Sequence, residues 1–291
     1  MSQSPPPPHP DEPVEWTTII GAHQGSWDWK LSELWNCRDL ISLFVWRDFV
    51  SIYKQTILGP AWHLLQPLLT TLTFTFIFGK IARFSTDGVP PFLFYLSGTI
   101  LWSFFSNCLL KTSNTFLSNS GLLSKVYFHR LSIPISTLFS TLIAFSIQFS
   151  LFLLVWIYFC FQESSIHPSL ALLAAPIAIL MIAGYALAGG IIVSAVTTRY
   201  RDLSIAIAFG IQLLMFLTPV IYPLSSVPSQ NQWMISLNPL TPIFELFRFS
   251  FFGGTPCSLL ALGFSFTLLL LLLTVGLILF SRIEKTFMDT I

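Results

Sequence analysis

Charged residues are scarce in this chain, and their absence from its long apolar runs indicates its class. Asp, Glu, Lys and Arg make up 9% of the sequence, whereas hydrophobic residues make up 54%. A water-soluble globular domain carries about 25% charged residues. The chain is therefore predicted to be a membrane protein, and its net charge of +1 gives no reason to expect a nucleic-acid partner.

Motifs for catalysis and energy coupling are also lacking. No segment has the form GxxxxGK[ST] of a phosphate-binding loop. No Ser/His/Asp or His/Cys/Glu group has the spacing of a catalytic site, and the four cysteines show no metal or redox spacing. We expect no catalytic residue, metal site or cofactor in this chain.

Long apolar runs are what the chain does have. A spanning helix needs about 20 residues to cross a hydrocarbon core about 30 Å thick. Six runs are near or above this length, and no charged residue lies in their central parts: 61–81, 90–110, 134–160, 169–196, 204–222 and 259–280. The chain is predicted to be an all-α membrane protein with six transmembrane helices. Small residues in the fourth run, from Gly184 to Gly190, predict close helix packing.

The distribution of basic residues predicts the orientation. With a cytoplasmic N-terminus, 11 of the 14 Lys and Arg residues lie on the inner side, and only Lys80, Arg83 and Arg248 lie outside. This asymmetry follows the positive-inside rule and puts both termini in the cytoplasm. Ion-coupled transporters usually hold ionisable groups inside the membrane. Because the spans lack them, energy for transport is expected to come from another polypeptide.

The chain before the first span has two parts. Residues 1–33 are Pro-rich and are expected to be partly disordered. The segment 34–59 is expected to form an amphipathic helix at the membrane interface, where Arg47, Tyr53 and Lys54 suit the headgroup zone. Gly59 and Pro60 then break this helix, so that residues 60–291 form the six-span domain. An ordinary membrane entry point would explain the same pattern.

Two inner loops are candidates for contact with a partner. The loop 111–134 combines an Asn/Ser-rich start with a short apolar stretch and basic residues. It suits a short amphipathic helix that docks on a partner, although a simple connector is an equal alternative. The turn TTRYRD at 197–202 is explained equally well by helix capping and the positive-inside bias.

The outer side carries one unusual segment. Residues 218–254 contain five prolines, yet they are too apolar for a free loop. We therefore predict re-entrant half-helices over 223–252, which membranes tolerate where protein or a water-filled cavity shields the backbone.

Aromatic residues make up 15% of the chain and suggest a sugar polymer as cargo, because pyranose faces pack on aromatic rings. For each ring, contact with lipid or with the protein core is the alternative. The candidates for a substrate channel are Trp62, Phe74, Phe76, Phe78, Trp102, Phe216 and Tyr222.

Four segments together resemble one family. They are RDFVSIYKQTILGPAWHLLQP, LLSKVYFHRLSIP, TRYRD and TPVIYP with LNPLTPIFELFR, in this order. The series resembles the type-2 ABC exporter permeases, and within them the branch that exports O antigen, capsule or teichoic acid. The resemblance covers residues 34–290 and leaves residues 1–33 unexplained.

The resemblance implies a homodimer in the bacterial inner membrane that moves a lipid-linked polysaccharide. Two copies of a separate ATPase subunit would bind the ATP and Mg²⁺. It implies an ATPase-coupling role for Leu122, Leu123, Lys125, Val126, Tyr127, Arg130, Arg199, Arg201 and Asp202. It also implies a role in the cytoplasmic gate and interface helix for Arg47, Tyr53, Lys54, Gln55, Leu58 and Gly59.

Two other classes of function stay open. A membrane-embedded enzyme acting on lipid-linked glycans would need a carboxylate or histidine at the interface, and the outer candidates are Asp87, Glu163, His167 and Glu245. An assembly factor or passive channel needs no energy source, but a channel would normally show polar pore rings.

Overall fold

All regular elements of the described chain are helices. The computed structural model describes residues 31–54, 56–123, 128–162, 168–197, 202–254 and 258–287, and no strand occurs among them. The α-helices are α1 (Leu31–Asn36), α2 (Arg38–Tyr53), α3 (Trp62–Phe74), α4 (Pro91–Ser113), α5 (Thr115–Ser118), α6 (Ser120–Leu123), α7 (Ser132–Gln162), α8 (Ala175–Thr197), α9 (Leu203–Leu217), α10 (Gln232–Ser236), α11 (Thr241–Phe252) and α12 (Leu259–Phe287). The prediction of an all-helical membrane protein is confirmed at this level.

Within these residues, five segments are long and apolar enough to cross a membrane. They are Gly59–Ile81, Pro91–Ser113, Ser132–Gln162, Leu170–Thr197 and Leu259–Ser281. The shortest have 23 residues. At 1.5 Å per residue, such a helix reaches about 35 Å, which exceeds the hydrocarbon core of a bilayer.

The fifth apolar run forms a shorter helix than the sequence predicts. The helix α9 has 15 residues, which is about 22 Å of helix. It stops because a residue before proline is driven into extended conformation, and Thr218, before Pro219, has φ −103° and ψ 141°. Six complete crossings therefore stay a prediction.

The first span combines three kinds of helix. A 3₁₀ turn at Gly59–Ala61 begins it, α3 forms its middle, and a π-helix at Thr75–Ile81 ends it. Gly59 has φ +50°, a conformation that glycine adopts without a Cβ clash. Pro60 occupies the first turn, where its missing N–H costs no hydrogen bond. The Gly-Pro pair thus begins the first span, but it does not break α2 as predicted, because α2 already ends at Tyr53.

The central helix of the bundle is α4. Residues 93–102 are all buried, and the helix contacts α3, α7 and α8. Small residues of α8 allow this closeness: a Cβ at Gly190 would lie 2.5 Å from the Cβ of Thr112. On another side, a Cβ at Gly184 would lie 3.1 Å from the Cδ1 of Leu269 in α12. The predicted close packing of this small-residue run is confirmed.

Much of the aromatic content fills the core between α7 and α11. The ring of Phe152 lies 5.7 Å from that of Phe247 and 4.9 Å from that of Phe251, between centroids. The indole Nε1 of Trp156 donates a hydrogen bond to the carbonyl of Phe251 at 2.9 Å. These tilted and edge-on contacts stabilise the core beyond the area they bury. They place α11 inside the subunit, beside α7.

Candidate functional site

One arginine holds the connection between α9 and α12, which is named the outer connection after the orientation predicted from the sequence. Arg248, on α11, donates from Nη1 to the carbonyl of Pro219 at 2.6 Å and from Nη2 to the carbonyl of Val220 at 2.7 Å. Proline stops α9 just before these carbonyls, and they need donors from outside the helix. The rigid guanidinium fork serves two acceptors at once. Arg248 therefore joins α11 to the end of α9.

The pocket around this guanidinium is built by α4. The Cζ of Arg248 lies 3.8 Å from the ring centroid of Phe94, a cation–π contact. One turn later, Gly98 leaves room for both partners. A Cβ there would lie 2.6 Å from the carbonyl oxygen of Val220 and 3.1 Å from Nη2 of Arg248. The contact therefore needs a residue without a side chain at position 98.

A second tether joins two outer turns. The Oγ of Ser225 lies 2.7 and 2.8 Å from the two carboxylate oxygens of Asp87 and donates to them. The carboxylate of Asp87 also interacts electrostatically with Arg248. The carboxylates of Glu245 and Asp87 both favour the charged form of the Arg248 guanidinium. The two tethers therefore interact through charge.

The helices α3 and α9 leave apolar stripes uncovered. On α3 the stripe continues into the π-helix and consists of Leu65, Leu69, Leu72 and Phe76. On α9 it consists of Ile205, Phe209, Leu213 and Phe216. Spacings of three and four residues put each set on one helix face. Both helices contact α4. These stripes are surfaces for lipid or for a second subunit.

The structure divides the seven predicted channel aromatics into three groups. Trp62, Phe76 and Phe216 are exposed. Phe74, Phe78 and Tyr222 are half-buried. Trp102 is a core residue, 7% exposed, which packs between Phe105 and Phe244. No ring face of Trp102 is open to a polymer in the subunit, because packing against its neighbours covers it.

At the end of the bundle predicted to be cytoplasmic, which is named the inner end, α2 contacts the loop between α4 and α7. The Nη2 of Arg47 lies 2.7 Å from the Oδ1 of Asp48 and donates to the Oδ1 of Asn119 at 3.4 Å. The rings of Phe44 and Phe128 lie 5.7 Å apart. The helix predicted to lie at the gate and the loop predicted to couple to a partner therefore touch each other.

The same loop is anchored to other long helices. Phe116 of α5 stacks on Phe280 of α12, with ring centroids 5.0 Å apart. The hydroxyl of Thr197, at the end of α8, donates to the carbonyl of Ser113 at 3.0 Å. A displacement of this loop would reach α2, α8 and α12 together.

The predicted coupling and gate residues occupy different environments. Leu122 packs against the inner cluster that includes Phe44 and Phe116. Arg130 is only 6% exposed, so its guanidinium does not lie on the surface of the subunit. Asp202, Lys54 and Leu58 are exposed. Several predictions lie outside the described residues or side chains: residues 1–30, Tyr53, Gln55, Leu123, Lys125, Val126, Tyr127, Arg199 and Arg201.

Of the four candidates for an enzymatic site, the structure describes Asp87 and Glu245, and both interact electrostatically with Arg248. Ser225 is the partner of Asp87, whereas Glu163 and His167 lie outside the part of the chain described. Within that part, no three His, Cys, Asp or Glu residues form a group that suits a metal ion.

Sequence reasoning did not identify the contacts of Arg248, Gly98 and Asp87. One signal was present for the first of them. Arg248 is a cation inside the apolar helix 241–252, and an ionisable residue in such a setting usually has a specific partner. Nothing in the local sequence marks Gly98 as the residue that faces it.

Known proteins match most of the chain. The ABC-2 type transporter family matches residues 39–252. The O-antigen export system permease protein RfbA of Klebsiella pneumoniae is 26% identical over 258 residues, covering 86% of this chain and 94% of that protein. A protein of the same name from Myxococcus xanthus is 26% identical, covering 76% of this chain and 83% of its own length. The polysialic acid transport protein KpsM of Escherichia coli is 25% identical, covering 84% and 93%.

The match extends over the segments on which the structure places the candidate site. Residues 39–252 include α2, the loop between α4 and α7, and the outer connection up to the end of α11. Two of the relatives are named as O-antigen export permeases, and the third is named as a polysialic acid transport protein. The chain therefore belongs to the ABC-2 type transporter family, as a multi-pass membrane permease subunit that is not itself the catalytic component.

Proposed function

We propose that this chain is the permease subunit of an ATP-driven exporter that moves a lipid-linked surface polysaccharide across the bacterial inner membrane. Two copies form the translocation path, and two copies of a separate ATPase supply the energy. Both termini lie in the cytoplasm, in keeping with the distribution of Lys and Arg. No cofactor resides in this chain.

The observation that carries the cargo class is the agreement among the relatives. RfbA proteins from two organisms are named as O-antigen export permeases, and KpsM from a third is named as a polysialic acid transport protein. Each aligns over at least 76% of this chain. A lipid-linked polymer, O antigen or a similar glycan, is therefore the substrate that we propose.

The dimer interface and path lie along the uncovered stripes of α3 and α9. In a membrane, either lipid or another protein covers these faces. A second copy of the chain would cover them and enclose a path between the two subunits. The exposed rings of Trp62, Phe76 and Phe216 are the best-placed channel candidates. Phe74, Phe78 and Tyr222 are half-buried and are weaker candidates, whereas Trp102 lies in the core and does not face the path.

The coupling route runs through the loop between α4 and α7. We propose that the ATPase contacts this loop at Leu122, Leu123, Lys125, Val126 and Tyr127, and the α8–α9 turn at Arg199, Arg201 and Asp202. Because Arg130 is buried, its role would be to support the loop from within. The contact between Arg47 and Asn119 supports transmission from the loop to α2.

The gate would lie where α2 turns into the first span. The exposed Leu58 and the positive-φ Gly59 form this turn, with Tyr53, Lys54 and Gln55 immediately before it. On the outer side, α10 and α11 would line the exit as re-entrant helices, and Arg248 and Asp87 would set their position.

Gene deletion followed by glycan analysis tests this function. Loss of the surface polymer together with its accumulation inside the cell supports export, and expression of the intact chain should restore the surface polymer. Normal surface glycan in the deletion strain, or failure to complete the polymer itself, would instead favour a different role. The latter result would point to an enzyme or assembly factor that acts on lipid-linked glycans.

A further inference from the structure

A groove lies between α2 and α7, away from the residues assigned above to the gate. Its volume is about 770 Å³, within the roughly 300–1,000 Å³ of ligand pockets. Leu34 and Trp35 of α1 belong to its lining. The two longer walls are one face of α2 and one face of α7: Arg38, Ile41, Ser42 and Val45, and Ile135, Phe139, Leu142, Ile143 and Ser146.

The length of the groove matches one leaflet of a bilayer. From Ile135 to Ser146, α7 advances about 16 Å, and half of a hydrocarbon core is about 15 Å. Phe139 and Ile143 are 47% and 37% exposed along this wall. The distribution of Lys and Arg predicts that α7 begins at the cytoplasmic side, which gives the groove the depth of the acyl chains in the inner leaflet.

The lining contains one charged residue, and it is a cation. Arg38 has a 66% exposed side chain whose Nε lies 3.8 Å from the Oδ1 of Asp39, which is 95% exposed. So exposed an ion pair is weak and easily exchanged for another anion. The hydroxyl of Ser42 lies one turn further along the same face. Long arginine side chains reach the headgroup zone from an apolar surface.

We infer that this groove is a binding site for one anionic phospholipid of the inner leaflet. An acyl chain lies between α2 and α7, and the phosphate contacts the guanidinium of Arg38. The charge of the lining selects an anionic amphiphile, and the length of the apolar wall fits a single acyl chain. The inference does not depend on the proposed polysaccharide cargo.

The outer half of α7 provides the internal comparison. A smaller pocket of about 380 Å³ there is lined by apolar and aromatic residues without a cation: Phe92, Leu154, Val155, Tyr158 and Phe159. General contact with membrane lipid would label both places, whereas a specific site for an anionic lipid would label the inner groove preferentially.

Photo-crosslinking tests the site in the intact chain. The full-length protein is placed in phosphatidylcholine vesicles with phosphatidylglycerol that carries a photoreactive acyl chain, and labelled peptides are identified by mass spectrometry. We expect at least fivefold more label in the groove than in the outer pocket. Unlabelled phosphatidylglycerol should compete, and phosphatidylcholine should not. Equal labelling of both places, or equal competition, would overturn the inference.

Paired variants identify the contacts. Ser42→Trp fills the groove, whereas Leu43→Trp adds the same ring at an exposed neighbour outside the lining. Arg38→Glu reverses the charge, and Arg38→Lys retains it. We expect Ser42→Trp and Arg38→Glu to lower groove labelling about tenfold, with the two controls within twofold of the unaltered protein. If Ser42→Trp fails to fold, the labelling of Arg38→Glu and Arg38→Lys and the competition between the two lipids still test the site.

A second crosslinking reaction in the same vesicles detects other occupants of the groove. A lysine- and carboxyl-reactive crosslinker would join the groove to residues 1–30, or to a second copy of the chain, if either covered it. Such products without lipid label in the groove would refute the phospholipid site. Lipid label that persists at the expected level in Arg38→Glu would refute the assigned phosphate contact.

Discussion

Arg248 on α11 donates a hydrogen bond to the carbonyl of Val220, 28 residues earlier in the chain, at 2.7 Å. A second donation to Pro219 and the ring of Phe94 complete its surroundings. The two carbonyls belong to residues beyond the end of α9, so no backbone N–H of that helix can bind them. The guanidinium of Arg248 supplies the missing donors. Arg248 therefore helps to fix the conformation of the outer connection, together with the bond between Asp87 and Ser225.

Removal of this cation is expected to loosen the outer connection. Arg248→Leu leaves two carbonyls without donors, and a buried unpaired group costs about 1–3 kcal/mol. We expect a Tm at least about 5 °C lower, measured by intrinsic fluorescence in detergent. The Tm of Arg248→Lys should lie between those of the unaltered protein and of Arg248→Leu, because lysine keeps the charge but cannot donate to both carbonyls in the geometry of a guanidinium. Lys80→Gln, which changes an exposed outer cation, is the control and should leave Tm unchanged.

Gly98 offers an independent test of the same contact. Gly98→Ala puts a Cβ 2.6 Å from the carbonyl oxygen of Val220, so we expect a loss of about 1–3 kcal/mol in the free energy of unfolding. The matched control is Gly210→Ala in α9, where nothing lies within 4 Å of the new Cβ. Alanine in a helix interior stabilises by up to about 1 kcal/mol. Equal effects of the two changes would show that Gly98 does not face the arginine contact.

The Asp87–Ser225 contact predicts non-additive stability changes. A double-mutant cycle with Asp87→Asn and Ser225→Ala should give a coupling of about 1 kcal/mol, because both side chains are exposed and the bond is charge-assisted. Asn tolerates the φ of +53° at position 87. As a control, Ser226→Ala removes a local bond to Pro223 and should be additive with Asp87→Asn. A coupling near zero would mean that the tether adds nothing to stability.

The proposed coupling loop is tested by charge insertion. Replacing Leu122, Leu123 and Tyr127 together with Asp should abolish co-purification of the partner ATPase and its stimulation, because an apolar contact cannot accommodate three carboxylates. Ser118→Asp adds charge at an exposed position of the neighbouring α5 and should leave co-purification intact. ATPase retained at the normal level on the triple variant would rule out this contact.

The proposed dimer is tested by cysteine crosslinking in membranes. In a variant without the native cysteines, Leu69→Cys or Phe76→Cys on the uncovered α3 face should form a dimer-sized product under mild oxidation. Ile157→Cys on the exposed face of α7 is the control and should remain monomeric. If the control forms dimers as readily as the α3 variants, the products reflect random collisions rather than an interface.

Local chemistry explains which predictions succeeded. The start of the first span at Gly59 and Pro60 was predictable because one residue tolerates positive φ and the other lacks an N–H. The end of the preceding helix at Tyr53 was not predicted. The close packing at Gly184 and Gly190 was predictable because small residues in a spanning helix let the backbones of neighbouring helices approach closely. The short length of α9 was not predicted, because the bounds of the run 204–222 rest on its apolar composition. The helix itself ends where Pro219 forces the preceding residue into extended conformation.

The candidate site was less accessible to sequence reasoning. Trp102 resembled a channel aromatic, and only its position between Phe105 and Phe244 makes it a core residue. Arg130 resembled a surface contact in a basic loop, but it is buried. In both cases residue type was informative about chemistry, while the direction of the side chain depended on neighbours from other helices.

The amino-acid sequence by itself determined that this is a helical membrane protein, because run length and the scarcity of charge follow directly from what a bilayer admits. It also determined the family, since the match spans most of the chain. Only the tertiary structure decided that Arg248 holds the end of α9, that Asp87 meets Ser225, and that α2 touches the inner loop. Those contacts join residues 28, 138 and 72 positions apart, and no local pattern encodes a pairing over such separations.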